Sequence, residues 1–513
     1  MIEVEVHNSL RSFLRSSGEP NWPHHLTMAR LVARALRLGR SALMQTGIAP
    51  GSSVGRYRLS YLMPVLMWPE PAVVVATEAV LQRLLMVEIP QLQQWVSVSK
   101  PIRQGSCWPH PDFKGVLLMT PDVWLADRLS GGGAIPPNVP TIFDGVDDLE
   151  SWAQQCLTVR LEAADWNELM LAFPDKVEEI RDARVSLTRA IYQHPANPYE
   201  CCLLDEEEVE ILRGLLAVLL EANAVEQLPS RWGSFWRLWG SINSLLWAEV
   251  WPAQGGFSLL CGPVEVARSL KEIWQMQPVV LIGGAIDLEA EASAYRHRVG
   301  LGELTCVKFA PDRCNQLIQL YLPDRLPLPN TPQYQGALLQ HIRALLSAVD
   351  PAGGLVVLLV GDTPLKRIIG TQLAAEFGSR VQVEKTGLDE NGILVAGWEF
   401  WRSKAGVMPA PQLLVISTLP VPSLENPLVA GRVAFYKQQR QDWFRLFLLP
   451  VALCEMQRAV AAVRDRQGVV ALLDSRVLHR SYGSQVLSAL SPLARIDYLD
   501  ASLFAAGDYE VLD

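Results

Sequence analysis

Residues 41–64, SALMQTGIAPGSSVGRYRLSYLMP, place a short apolar strand, a glycine-rich loop and the start of a helix in that order. Such an order can hold phosphate, because loop N–H groups and a helix N-terminus converge on one anion. The candidate contacts are Gly47, Gly55, Arg56 and Arg58. A working phosphate loop also needs Lys followed by Ser or Thr, the first for the terminal phosphates and the second for magnesium. Neither is present. The stretch therefore reads either as an anion site resting on arginine or as a solvated loop between strand and helix.

Two further sets of side chains carry possible chemistry. In RWGSFWRLWGSINSLLWAEVWP, Trp232, Trp236 and Trp239 share one helical face, and Trp247 and Trp251 form a second i, i+4 pair. With Arg231 and Arg237 between them, they could stack the bases of a single strand. The competing reading is the packed core of a helical insertion, since Trp buries so much area. Arg402, Lys404, Arg432, Lys437, Arg440 and Arg445 read as a phosphate track or as a solvated face.

Composition narrows the class. At 513 residues, 49% hydrophobic and 19% charged, the chain has material for two to four folded domains. The formal net charge of -9 argues against strong, indiscriminate DNA binding, which needs local positive charge. Eight cysteines, with no C-x-x-C among them, fit a reducing cytoplasm and no metal site. The N-terminus lacks a signal-like apolar core, and no apolar run reaches the roughly 18 residues of a membrane span. The expectation is a cytoplasmic protein with no membrane partner.

The elements that must position these residues alternate. After a helical first forty residues, apolar strands are expected at SALMQ, PAVVVA, GVLLM, PTIFD and PVVLIG. From about 150 to 270 the pattern turns mostly helical, with LDEEEVEILRGLLAVLLEANAV amphipathic and acidic in its first turn. Strand and helix then alternate again through GLVVLLVG, RVQVEK, ILVAGWEFW, QLLVIST and GVVALLDSR, which indicates a parallel sheet covered on both faces.

From Gly397 to Gly483 the run GWEFWRSKAG, QLLVISTLPVPSLENPLVAG, FLLPVALCEMQRAVAAVRDRQGVVALLDSR and SYG resembles the second motor domain of DinG/XPD-type superfamily 2 DNA helicases. The resemblance implies an α/β fold of two RecA-like lobes: residues 1–150 plus 271–295 form the first, 151–270 an arch-like helical insertion, and 296–513 the second. It implies DNA-backbone contacts at Thr77 and Gln82, with Arg402 and Lys404 on the second lobe and Trp232 and Trp236 in the insertion as further nucleic-acid candidates. Only Cys107 lies between residues 77 and 144, where XPD-like members carry four cysteines, so no iron–sulfur cluster is expected.

Against the same pattern, the phosphate-loop Lys falls on Tyr57 and its hydroxyl partner on Arg58. The Asp-Glu-Ala-His run becomes Asp144, Gly145, Val146 and Asp147, keeping the magnesium-side carboxylate and losing the one that positions water. The arginine-finger helix places Arg458, Ala461, Ala462 and Asp465 at its key positions; a one-residue shift offers Gln457 and Arg464 instead. Losing one charge-stabilising group commonly costs about three orders of magnitude in rate, and several are missing together. The expectation is a pseudo-helicase with little or no ATPase activity, acting on DNA or in a DNA-associated protein complex, with ATP and Mg2+ as ligands only if the altered site still holds nucleotide. The alternative is a divergent but active ATP-dependent DNA helicase in which Arg56 or Arg58 replaces the lysine.

Overall fold

A computed structural model describes residues 2–17, 22–48, 57–96, 100–221, 228–241, 243–251, 255–284, 286–310, 317–349, 354–389, 391–464 and 466–497. Helices α1 (Ile2–Ser17) and α2 (His25–Leu38) pair with the start of α1 against the end of α2, where Arg37 meets Glu3 at 2.7 Å. They cover one face of a parallel sheet built from β1 (Ala42–Gln45), β2 (Ala72–Val75), β3 (Ile102–Gln104), β4 (Val116–Met119) and β5 (Thr141–Asp144), together with two later strands. The order across this sheet is β11-β1-β10-β5-β2-β4-β3, where β10 is Val279–Gly283 and β11 is Thr305–Lys308. Runs such as Val73, Val74 and Val75 are buried throughout because helices lie on both faces, the setting in which β-branched side chains suit a strand.

The second lobe repeats the plan. Its sheet runs β14-β15-β13-β16-β17-β12-β18, from β12 (Ile318–Tyr321), β13 (Val356–Leu359), β14 (Val381–Val383), β15 (Ile393–Ala396), β16 (Leu413–Ile416), β17 (Val469–Leu472) and β18 (Leu493–Ile496), with every pairing parallel. Two parallel seven-stranded sheets, each wrapped in helices, are the expected pair of RecA-like lobes. Phe444–Arg464 is the one described stretch long and apolar enough to cross a membrane, and half of its most apolar window is buried. Met456, Ala459, Val460 and Val463 from it sit in the second lobe's core.

The domain limits differ from those read in the sequence. Strand β11 pairs with β1, so the first lobe continues past residue 295 to about Lys308. Helices Leu149–Leu157 and Ala267–Met276 also pack in the first lobe's core, through Leu149, Ala153, Leu270 and Ile273, which shortens the insertion at both ends. Nor is the insertion helical alone. It holds a four-stranded antiparallel sheet of β6 (Val159–Leu161), β7 (Cys201–Leu203), β8 (Ser244–Trp251) and β9 (Gly256–Pro263), in the order β6-β9-β8-β7. Trp247 and Trp251 thus lie on a strand, where residues four apart also share a face.

Trp232 and Trp236, on helix Ser230–Trp239, are 0% and 8% exposed. Trp232 donates its indole N–H to the Asp165 carbonyl at 2.9 Å and meets Trp166 edge-on at 4.8 Å. They form the insertion's core and present no face for a base to stack on. Trp232→Ala is expected to lower stability by about 3–5 kcal/mol through the cavity it leaves. The midpoint of urea unfolding measures this, and an unchanged midpoint would contradict the packing described.

Candidate functional site

Asp144 ends β5, where a chain leaving a parallel sheet turns its side chains toward the lobe's ligand-facing edge. Opposite it, α3 (Arg58–Met67) starts directly after the glycine-rich loop. Tyr57 and Tyr61 are four residues apart and so lie above one another on one helical face, with Arg58 alongside. The Tyr57 hydroxyl donates to Asp144 Oδ1 at 2.5 Å, and the Tyr61 hydroxyl to Oδ2 at 2.8 Å. Arg58 Nε donates to Oδ2 at 3.0 Å, in an ion pair whose two side chains are each 2% exposed.

This constellation is held from behind. Trp22 packs edge-on against Tyr57 at 6.4 Å, and His25 Nδ1 lies 2.8 Å from Ser60 Oγ. Buried Lys100 donates to the carbonyls of Val65, Trp68 and Glu70 at 3.0, 2.7 and 2.7 Å, satisfying groups orphaned at the end of α3. Burial pushes the Tyr57 and Tyr61 hydroxyls well above the usual tyrosine range, and the Asp144 charge pushes them further the same way. Both therefore stay protonated donors. Burial works against the charge on Arg58, and Asp144 together with Tyr57 and Tyr61 outweighs it, raising the guanidinium's pKa.

Beyond Asp144, Gly145 adopts φ 94°, a conformation that favours glycine, and its N–H bonds to the Ile282 carbonyl at 2.9 Å. Asp147 accepts from the Gly284 N–H at 2.9 Å, joining the ends of β5 and β10. Asp148 accepts from Arg458 Nη1 of the second lobe at 2.7 Å. Close by, Glu150 lies between Arg298 of the first lobe, at 3.0 Å, and Arg432 of the second, at 2.5 Å. Burial would raise the Glu150 carboxyl, but Arg432 and Arg298 outweigh it and hold it below its ordinary range. The Cys454 thiol faces the Ile286 carbonyl at 3.7 Å across the same boundary.

Other sequence candidates fall elsewhere. Gly47 follows β1 in a left-handed conformation and donates to the Gly284 carbonyl at 3.0 Å, whereas Gly55, Arg56 and Asp465 lie outside the described residues. Thr77 is exposed at the start of helix Glu78–Arg83, and Gln82 is exposed and bonded to Glu78 at 3.2 Å. Arg402 pairs with Glu455 at 3.4 Å, and Lys404 is exposed near it. Gln457 is half-buried on helix Leu449–Arg464. Arg464 points away from the first lobe, donating to the Leu490 carbonyl at 2.6 Å and to Pro492 at 3.1 Å. Of the proposed phosphate track, Arg432 is taken by Glu150, Arg445 lies 3.7 Å from Asp442, and Lys437 sits 5.3 Å over Trp443.

The fold, two parallel sheets each flanked by helices, is similar to that of solved XPD structures. Apo XPD matches 92% of this chain and all of its own, with TM-score 0.56 and 14% identity. An XPD helicase structure gives 0.60, with 11% identity, over 93% of this chain and all of its own. Xpd4 of S. tokodaii gives 0.58, with 13% identity, over 93% of this chain and all of its own.

In sequence, the chain is 23% identical over 255 residues to the ATP-dependent DNA helicase YoaA of Escherichia coli, covering 47% of this chain and 40% of that protein. To YoaA of Haemophilus influenzae it is 29% identical over 110 residues, covering 21% and 17%. These matches span less than half the length of either relative, and no protein-family model matches. In sequence the chain is thus similar to part of YoaA, and in fold to XPD.

Two measurements check the site. Asp144→Asn leaves Arg58 buried without its counter-charge and is expected to cost about 3–5 kcal/mol, whereas replacing both partners by apolar residues of similar volume should cost far less. Equal losses for the two variants would refute the buried pair. Burial also pushes His25 down to about 4 from its ordinary 6.5. Its folded pKa is therefore depressed, so the unfolded chain binds more protons between those values and stability falls as pH drops from about 6.5 toward 4. His25→Asn should flatten that part of the stability–pH curve.

Proposed function

We propose that this chain is a pseudo-helicase, a DinG/XPD-like fold that works without hydrolysing ATP as a scaffold within a DNA-associated protein complex. The observation that carries the reading is the capture of Asp144 by Tyr57, Arg58 and Tyr61. In a phosphate-loop motor such a carboxylate helps hold magnesium against the nucleotide. Here a tethered guanidinium already stands against it. At an effective dielectric of about 20, a unit charge about 4 Å away is repelled by roughly 4 kcal/mol, and a divalent ion by roughly twice that. The residues at Asp144 therefore do not fit a magnesium ion while Arg58 stays in place.

The remaining geometry supports the same conclusion. Arg458 and Arg432, cations that the second lobe turns toward the first, are each bound to a carboxylate, Asp148 and Glu150. Gly145 stands where the resemblance expects the water-positioning glutamate. Arg58, engaged with Asp144, is withdrawn from the phosphate-binding role that the active-helicase reading assigns to it. With Cys107 alone between residues 77 and 144, the chain has no four-cysteine set for an iron–sulfur cluster there.

Purified protein is expected to show no magnesium-dependent ATP hydrolysis with or without single-stranded DNA. DNA-stimulated hydrolysis that is lost in Asp144→Ala would sink the proposal. Tyr57→Lys with Arg58→Thr should release Asp144 and strengthen magnesium–ADP binding measured by calorimetry, with hydrolysis still absent because Gly145 offers no carboxylate.

A further inference from the structure

The first forty residues hold six arginines and three glutamates, with no lysine or aspartate, in a chain whose overall formal charge is -9. This positive segment is the α1–α2 pair. Arg30, Arg34 and Arg37 follow one another at i, i+4 and i+7 along α2, so they form one stripe on its outer face. Arg37 is engaged by Glu3. Arg30 and Arg34 are exposed, and their side chains make no ion pair or hydrogen bond among the described residues.

The stripe borders a groove. Between α1 and α2 lies a cavity of about 640 Å³, with His7 and Val4 on the α1 wall and Leu31 set between the arginines on the α2 wall. Val4 is 56% exposed, and Leu31 is half-buried. The groove thus pairs an apolar floor with cations spaced one helical turn apart. Nothing in the Asp144 cluster or between the lobes uses these residues.

We propose that this groove docks an acidic amphipathic segment of a partner protein. An amphipathic helix laid in such a groove sets apolar side chains on Val4 and Leu31 and its carboxylates on Arg30 and Arg34, the usual pattern of helix-in-groove recognition. Charge complementarity sets the sign of the partner, and arginine's planar fork suits carboxylates. A nucleic-acid backbone would use the arginines but leave Val4 without an apolar partner. The proposal rests on the scaffold reading above and names the chemistry of one partner.

The test uses the full chain and fluorescence anisotropy with three labelled probes: a synthetic peptide with leucines on one helical face and glutamates on the other, an all-glutamate peptide of equal length, and a single-stranded oligonucleotide. The amphipathic peptide is expected to bind most tightly, to weaken with salt, and to lose about tenfold or more in affinity in Arg30→Glu with Arg34→Glu. Val4→Asp should weaken it as well. Lys271→Glu with Arg189→Glu, an equal charge change on other exposed surfaces, should leave binding within twofold.

Both charge-reversed sites are on the surface, and a matching thermal midpoint shows that the fold is intact. Three results would each overturn the proposal: no peptide binding, peptide binding indifferent to the Arg30 and Arg34 reversal, or tighter binding of the oligonucleotide through the same arginines. The ATPase assay is independent of these readings, so failure of the docking site and failure of the scaffold reading are distinguishable.

Discussion

A carboxylate buried at the end of a parallel strand must be given a counter-charge. Asp144 receives one from within the chain, at 3.0 Å, from an arginine at the first helical position after the loop. A diffusible cation arrives and leaves with its ligand, whereas a tethered guanidinium is always present. The compensation is therefore permanent. Two tyrosine hydroxyls, kept protonated by burial, fill other acceptor positions on the carboxylate and tie the loop's far end to the sheet.

The same principle extends across the boundary between the lobes. Arg458 meets Asp148, and Glu150 is shared by Arg298 and Arg432, so positive and negative groups of the two lobes neutralise one another. Partly buried pairs of this kind add little net stability over well-packed apolar residues, yet breaking one leaves a bare charge partly shielded from water. Their effect is to specify geometry. Each fixes where α3, or the second lobe, must sit relative to the end of β5.

Much of the fold was legible in the sequence because its signals are local. Val73 to Val75, Leu117 to Met119 and Val356 to Leu359 are short apolar runs between turns, and all became central parallel strands. The insertion was less legible. Trp247 and Trp251 repeat every four residues, a spacing that puts side chains on one face of a helix or of a strand, and the antiparallel pairing of β8 with β9 decided it. The Asp144 cluster was hidden for another reason: its partners lie more than eighty residues apart in the chain. Tyr57, Arg58 and Tyr61 at the start of one helix were the available signal, since two tyrosines and an arginine on a helix facing a strand's polar end suit a lone carboxylate. Arg458 and Arg432 had no such signal, because their carboxylate partners, Asp148 and Glu150, belong to the other lobe.

Gly431 extends the argument to the insertion. It lies on helix Pro427–Gln438 of the second lobe, and a Cβ there would come within 3.1 Å of Leu203 and Leu245 side chains from β7 and β8. One residue further along, Arg432 engages Glu150. A single helix of the second lobe therefore touches the insertion through Gly431 and the Leu428 side chain, and the first lobe through a charge. Any side chain at position 431 would have to displace those two leucines, so the seat of the insertion on the second lobe is sized for glycine.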